Sequence, residues 1–138
     1  INGKVYTPKG FEQNKPNFSL VVDPTFQNGN FGITTFNKNL KIRFALGSND
    51  IRSIGVFYIN DTTKPMLVDV IDEVKNCSFN PSYFCISSST CKVSGSLHIT
   101  RYDLANNVFS GTFEFKLYNP NMGCDTFFIT QGRFDKKL

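Results

Sequence analysis

An all-β domain, built as an antiparallel sandwich or a barrel, is what this sequence predicts, and three observations predict it. Residues 93–119, VSGSLHITRYDLANNVFSGTFEFKLYN, alternate apolar and polar side chains on both sides of a polar turn. Short runs of the same kind recur along the chain between separators such as TPKG, VDPTFQNGN, LGSND and YNPNMG, rich in Pro, Gly, Asn and Asp. The apolar residues are also of the strand-forming sort, with 15 Phe and 5 Tyr against two Met and no Trp.

In chain order, strands are expected at 3–7 (GKVYT), 18–22 (FSLVV), 31–36 (FGITTF), 39–46 (NLKIRFAL) and 53–59 (SIGVFYI), then at 83–87 (YFCIS) and 126–134 (TFFITQGRF). Residues 66–76 are the exception. Leu67, Val70, Ile71 and Val74 recur at helical spacing, with Asp69, Asp72, Glu73 and Lys75 on the other side and Pro65 placed to open a helix. Periodicity therefore favours a short helix there; a strand with an irregular exit half fits, through Met66, Val68 and Val70.

The hairpin carries the sharpest expectation. Val93, Gly95, Leu97 and Ile99 share one face of the first strand, and Phe109, Gly111, Phe113, Phe115 and Leu117 one face of the second. Both sets reach the same side if Ile99 faces Gly111, Leu97 faces Phe113 and Gly95 faces Phe115, or if that register slips by two; a slip by one puts every Phe into water. Each glycine then leaves bare backbone for a Phe ring on the neighbouring strand. DLANN between the runs supplies residues that tolerate positive φ.

The chain has 138 residues, the length of a single domain, 1–138, able to bury about 68 % of its unfolded surface. Its net charge of +4 comes from basic residues scattered singly apart from Lys136 and Lys137, which argues against nucleic-acid binding. No run approaches the roughly 18 consecutive apolar residues of a membrane helix. The opening INGKVY shows no signal peptide, so any export segment is expected upstream of Ile1.

Cys77, Cys85, Cys91 and Cys124 are even in number, lie in or beside expected turns and form no C-x-x-C pair or common zinc spacing. They suggest disulfides formed in an oxidising compartment. Of three pairings, the hairpin register brings Cys91 beside Asn119 and so near Cys124, leaving Cys77 for Cys85; free buried thiols are the alternative.

Residues that could carry chemistry are few. His98, the sole histidine, lies on the polar hairpin face with Ser110, Thr112 and Glu114 across from it, but a flat wet face excludes no water and offers no oxyanion site. Asp103, Asp135, His98 and Glu114 are the only group an enzyme reading would use, and the expectation is no enzyme, no cofactor and no catalytic residue. Asp69, Asp72 and Glu73 could gather on a helix face, yet calcium wants six to eight oxygens and no other ligand converges, so a solvated acidic face is expected and no metal site. NGNFG at 28–32 opens no helix and reads as a turn rather than a phosphate cradle. Asn17, Asn60 and Asn76 match the glycosylation acceptor pattern, which has meaning only in a eukaryotic secretory pathway. Among the rings, Tyr6, Tyr58, Tyr102 and Tyr118 are the candidates for ligand contact, because a phenol seeks one wet end.

The C-terminal third resembles a family of small secreted lipoproteins of Bacteroidetes, catalogued as a domain of unknown function. The resemblance rests on Gly95, Leu97, Ile99, Thr100 and Asp103; on Ser110, Gly111, Thr112, Phe113 and Phe115; and on Ile129, Thr130, Gly132, Phe134 and Asp135, about forty residues in all. It implies an all-β domain, lipocalin-like or sandwich-like, exported and tethered at the outer membrane or cell surface, or held in the periplasm, through a lipidated cysteine upstream of Ile1. The four cysteines and a helix at 66–76 depart from that pattern, and the resemblance implies no catalytic residue. The function expected is a non-catalytic, monomeric surface module for a small apolar or glycan ligand; the alternative is an accessory lipoprotein acting through protein contacts.

Overall fold

A computed structural model describes residues 1–3, 6–9, 16–27, 29–59, 66–79, 92–118 and 126–137. They form nine strands: β1 (Phe18–Asp23), β2 (Asn30–Asn37), β3 (Ile42–Ser48), β4 (Gly55–Tyr58), β5 (Met66–Asp72), β6 (Cys77–Phe79), β7 (Lys92–Asp103), β8 (Val108–Tyr118) and β9 (Phe127–Lys137). One sheet runs β1-β2-β3-β5-β6 and the other β4-β7-β8-β9, antiparallel throughout. The two sheets pack face to face and do not close into a barrel. The fold is therefore a β-sandwich.

Alternation builds its interior. Phe31 and Ile33 from β2, Phe44 and Leu46 from β3 and Val68 and Val70 from β5 face Leu97 and Ile99 from β7, Phe115 and Leu117 from β8 and Phe127 from β9, all at most 3 % exposed. Rings cross the gap between the sheets: Phe31 meets Phe134 at 5.6 Å between centroids and Phe44 stacks on Phe113 at 5.2 Å. Such pairs add to what burial alone contributes.

Of the two registers that alternation allows, the hairpin adopts the one with Gly95 opposite Phe115, Leu97 opposite Phe113 and Ile99 opposite Gly111. Beyond Ile99 a bulge shifts the pairing, so that Arg101 faces Ser110 and Tyr102 returns to the inner face opposite Phe109. Asn107 takes φ +54° in the turn, as DLANN foretold, and the Asn106 N–H donates to Asp103 Oδ1 at 3.0 Å.

Four expectations are corrected. Residues 66–76 contain no helix: Met66–Asp72 is strand β5, followed by a four-residue turn into β6. The alternating set Met66, Val68, Val70 is the buried one, whereas Leu67 and Val74 of the helical set are 38 % and 71 % exposed. Asp72 ends the strand by accepting the Val74 and Lys75 N–H groups at 3.0 Å each, and Asn76 turns the chain at φ +51°. The acidic residues consequently share no helix face. In the stretch 3–7, the described Gly3, Tyr6 and Thr7 belong to no strand, because positive φ at Asn2 and Gly3 turns the chain at its start. The run expected from residue 39 begins as a turn, closed by the Leu40 N–H on Asn37 Oδ1 at 2.9 Å, and β3 starts only at Ile42; the run at 53–59 narrows to β4. The strand expected at 83–87 lies outside the described residues.

Candidate functional site

The N-terminal segment crosses from one sheet to the other. At its start the Asn2 N–H donates to the Phe128 carbonyl and the Phe128 N–H to Asn2 Oδ1, both at 2.7 Å, on edge strand β9. At its far end Asn37 Nδ2 donates to the Thr7 carbonyl at 2.7 Å and the Lys9 N–H to the Phe36 carbonyl at 2.9 Å, on β2. Between these anchors, Ile1, Tyr6 and Pro8 border a cleft of about 510 Å³ that enters the sandwich between its sheets. That volume falls among small-molecule sites, typically about 300–1,000 Å³.

The walls are aromatic and aliphatic. Phe18, Ile33 and Phe44 line the cleft from the larger sheet, and Phe113, Ile129 and Phe134 from the smaller. Phe113 owes its position to Gly132, the residue opposite it on β9: a Cβ at Gly132 would lie 2.3 Å from the Phe113 ring. The ring uses that space, and from there it stacks on Phe44 with 13° between the planes. A bulge on β9 lies next to this point. Ile129 faces Phe115 and Gly132 faces Phe113, so Thr130 and Gln131 together oppose one residue, and Gln131, at φ +55°, borders the cleft.

Polar groups inside are few and paired. The Tyr6 hydroxyl and Thr35 Oγ1 lie 2.8 Å apart, with the Ile42 carbonyl 3.3 Å from the first and the Phe44 carbonyl 3.4 Å from the second. One hydroxyl donates to the other and the remaining proton reaches a carbonyl. Burial pushes the Tyr6 phenol up to about 12, opposed by the Thr35 hydrogen bond. Lys136 sits at the inward register of β9, opposite the buried Phe109, and holds its Nζ 5.0 Å over the Phe18 ring. Asp135, also on the rim, accepts the Ser110 hydroxyl at 2.8 Å.

Of the four tyrosines singled out by sequence, only Tyr6 borders this cleft. Tyr102 packs edge-on against Phe109 at 5.1 Å and donates to the Ile51 carbonyl at 3.5 Å; burial raises its phenol. Tyr58 stands 57 % exposed on edge strand β4. Tyr118, at the end of β8, lines a separate open hollow with Lys92, Lys116 and Thr126. Sequence reasoning passed over Phe18, Thr35, Phe44, Phe113 and Lys136. A signal for Lys136 is present in the sequence, since Gly132, Phe134 and Lys136 continue one alternation two residues beyond the strand expected at 126–134.

The polar hairpin group stays on the wet side of the smaller sheet. His98 is exposed between Val56 and Thr112, Glu114 faces Ser96, and Ser110 is bonded to Asp135 rather than turned to the imidazole. Asp103 closes the β7–β8 turn with Asn106 and Arg101, and those bonds hold its carboxyl below the usual range. These residues meet at no common point. Asp72 is a turn cap, and half-buried Asp69 lies on the opposite face of the strand; no cluster of metal-ligating side chains forms among the described residues. Cys77, buried at the start of β6, is disulfide-bonded rather than free, and its possible partners Cys85, Cys91 and Cys124 lie outside the described residues. No family model, curated protein or solved structure matches this chain. The fold and the cleft together define a β-sandwich with an aromatic cleft opening between its sheets.

Proposed function

We propose that this chain is a non-catalytic binding module that holds a small, largely apolar molecule in the cleft between its sheets. The observation that carries the reading is the cleft itself, of small-molecule size and walled by Phe18, Phe44, Phe113 and Phe134, with a buried hydroxyl pair as its main internal polar feature. A glycan is the poorer fit. Tyr6 and Thr35 already satisfy each other, so a sugar's many hydroxyls would be stripped of water without replacement partners. Action through protein contacts is the second reading, and edge strand β4 is the surface that favours it, with Val56 and Tyr58 exposed on its outer face next to Ile54.

In this reading the module belongs to an exported lipoprotein of the kind that the C-terminal third resembles, and works at the cell surface or in the periplasm. A disulfide at Cys77 fits such an oxidising compartment. A thermal-shift screen tests the binding claim: ligand at a hundred times its Kd adds about 2.7 kcal/mol to the folded state and raises the melting temperature by several degrees. Aliphatic and aromatic compounds are expected to produce that shift and monosaccharides none. A screen in which no apolar compound moves the midpoint would sink the reading.

A further inference from the structure

The rim of the cleft carries a charge that the sandwich does not need. On β9 the inward positions are Phe127, Ile129, Gly132, Phe134 and then Lys136, so a lysine stands where the alternation calls for another core side chain. Its ammonium has an aromatic face beneath it, the Phe18 ring at 5.0 Å, and no carboxylate within ion-pair distance among the described residues. Asp135 borders the same cleft but is engaged by the Ser110 hydroxyl at 2.8 Å, and Arg133 adds a second cation to the rim. An ammonium held over a ring leaves its other N–H donors open.

We propose that the ligand of this cleft is an amphipathic carboxylate, with its hydrocarbon body along the half-buried Phe113 and Phe18 rings and its carboxylate on Nζ of Lys136. The inference rests on the binding reading above and adds the head group. A neutral apolar molecule would use the walls and leave Lys136 idle. A cationic amphiphile would meet Lys136 and Arg133 with like charge. A carboxylate completes the ammonium's hydrogen bonding at the wet end, while the methylenes displace water from aromatic surface at the dry end.

The test compares two probes of equal length, decanoate and decan-1-ol, by calorimetric titration at pH 7 and below their aggregation concentrations. Decanoate is expected to bind about fivefold more tightly, the upper range for an ion pair that solvent still reaches. Lys136→Gln is expected to abolish the preference of decanoate over the alcohol, and Lys136→Arg to keep it. Equal affinities of the two probes for the native protein would overturn the head-group assignment and leave the binding reading standing, as would a preference that survives Lys136→Gln. Binding of neither probe to the folded native protein would remove both. The native comparison decides the matter even if Lys136→Gln fails to fold.

Discussion

Gly132 has no side chain because Phe113 fills the place where one would begin. The nearest ring carbons stand 2.3, 2.4 and 2.6 Å from an ideal Cβ, so a methyl group there must push the ring off Phe44. Gly132→Ala is expected to cost about 1–3 kcal/mol, the usual range for overpacking, seen as a lower urea midpoint at unchanged slope. An unchanged midpoint would mean that the ring moves freely. Asp69 makes the opposite case, a polar group where the sheet has no answer for it. Its Oδ1 is buried without a hydrogen-bond partner, and desolvation raises its pKa above 3.8, with Arg43 opposing. The folded state therefore holds that proton more tightly than the unfolded chain. Stability from this group is full below the ordinary carboxylate pKa and is lost as pH rises through the raised folded value. Asp69→Asn is expected to raise the midpoint at neutral pH and to give no gain near about pH 3; denaturation profiles of both proteins across that window check it.

At the scale of elements, β5 and β9 each combine a legible pattern with a hidden one. Residues 66–76 fit a helical period because Val70 belongs to both patterns and Leu67, Ile71 and Val74 fall at helical spacing around it. The choice fell to the neighbours: β3 pairs with β5 along its length, from Ile42 opposite Asp72 to Ser48 opposite Met66, and that ladder buries Val68 and Val70 completely. An isolated helix of this length has no such support. In β9 the alternation skips at Thr130 and Gln131, a bulge that only the pairing with β8 reveals. Gln131 takes φ +55° there, a conformation that costs a non-glycine residue free energy. Gln131→Gly is expected to be neutral or stabilising by up to about 1 kcal/mol, since released strain offsets the extra freedom of the unfolded chain. A clear fall in the melting midpoint would show that the Gln131 side chain supports the cleft.

For the whole molecule, the cleft exists because the two sheets do not close on one another. A barrel would join its edge strands by hydrogen bonds; here edge strand β9 bonds to Asn2, and the segment ending at Lys9 continues to β2 past the opening. The cleft is thus walled by residues far apart in sequence, from Tyr6 to Lys136. The disulfide also acts at this scale. Cys77 is expected to resist thiol reagents in the native protein, and reduction to lower the melting temperature, because a cross-link restricts the unfolded chain. Peptide mapping without reductant would identify its partner among Cys85, Cys91 and Cys124. Full labelling of Cys77 under native conditions would contradict the bond.

What the amino-acid sequence determined alone was local: the all-β class, the face that each hairpin strand turns inward, and a turn of residues that tolerate positive φ, each set by side-chain alternation or turn chemistry within a few residues. What tertiary structure decided was everything that depends on partners distant in the chain. It chose strand over helix at 66–72, sandwich over barrel, Tyr6 over the other three tyrosines, and Lys136 as a rim cation. The physical reason is that alternation specifies which face of a strand is apolar, while the surface that face meets, and any gap left between the two, arises only when the sheets pack.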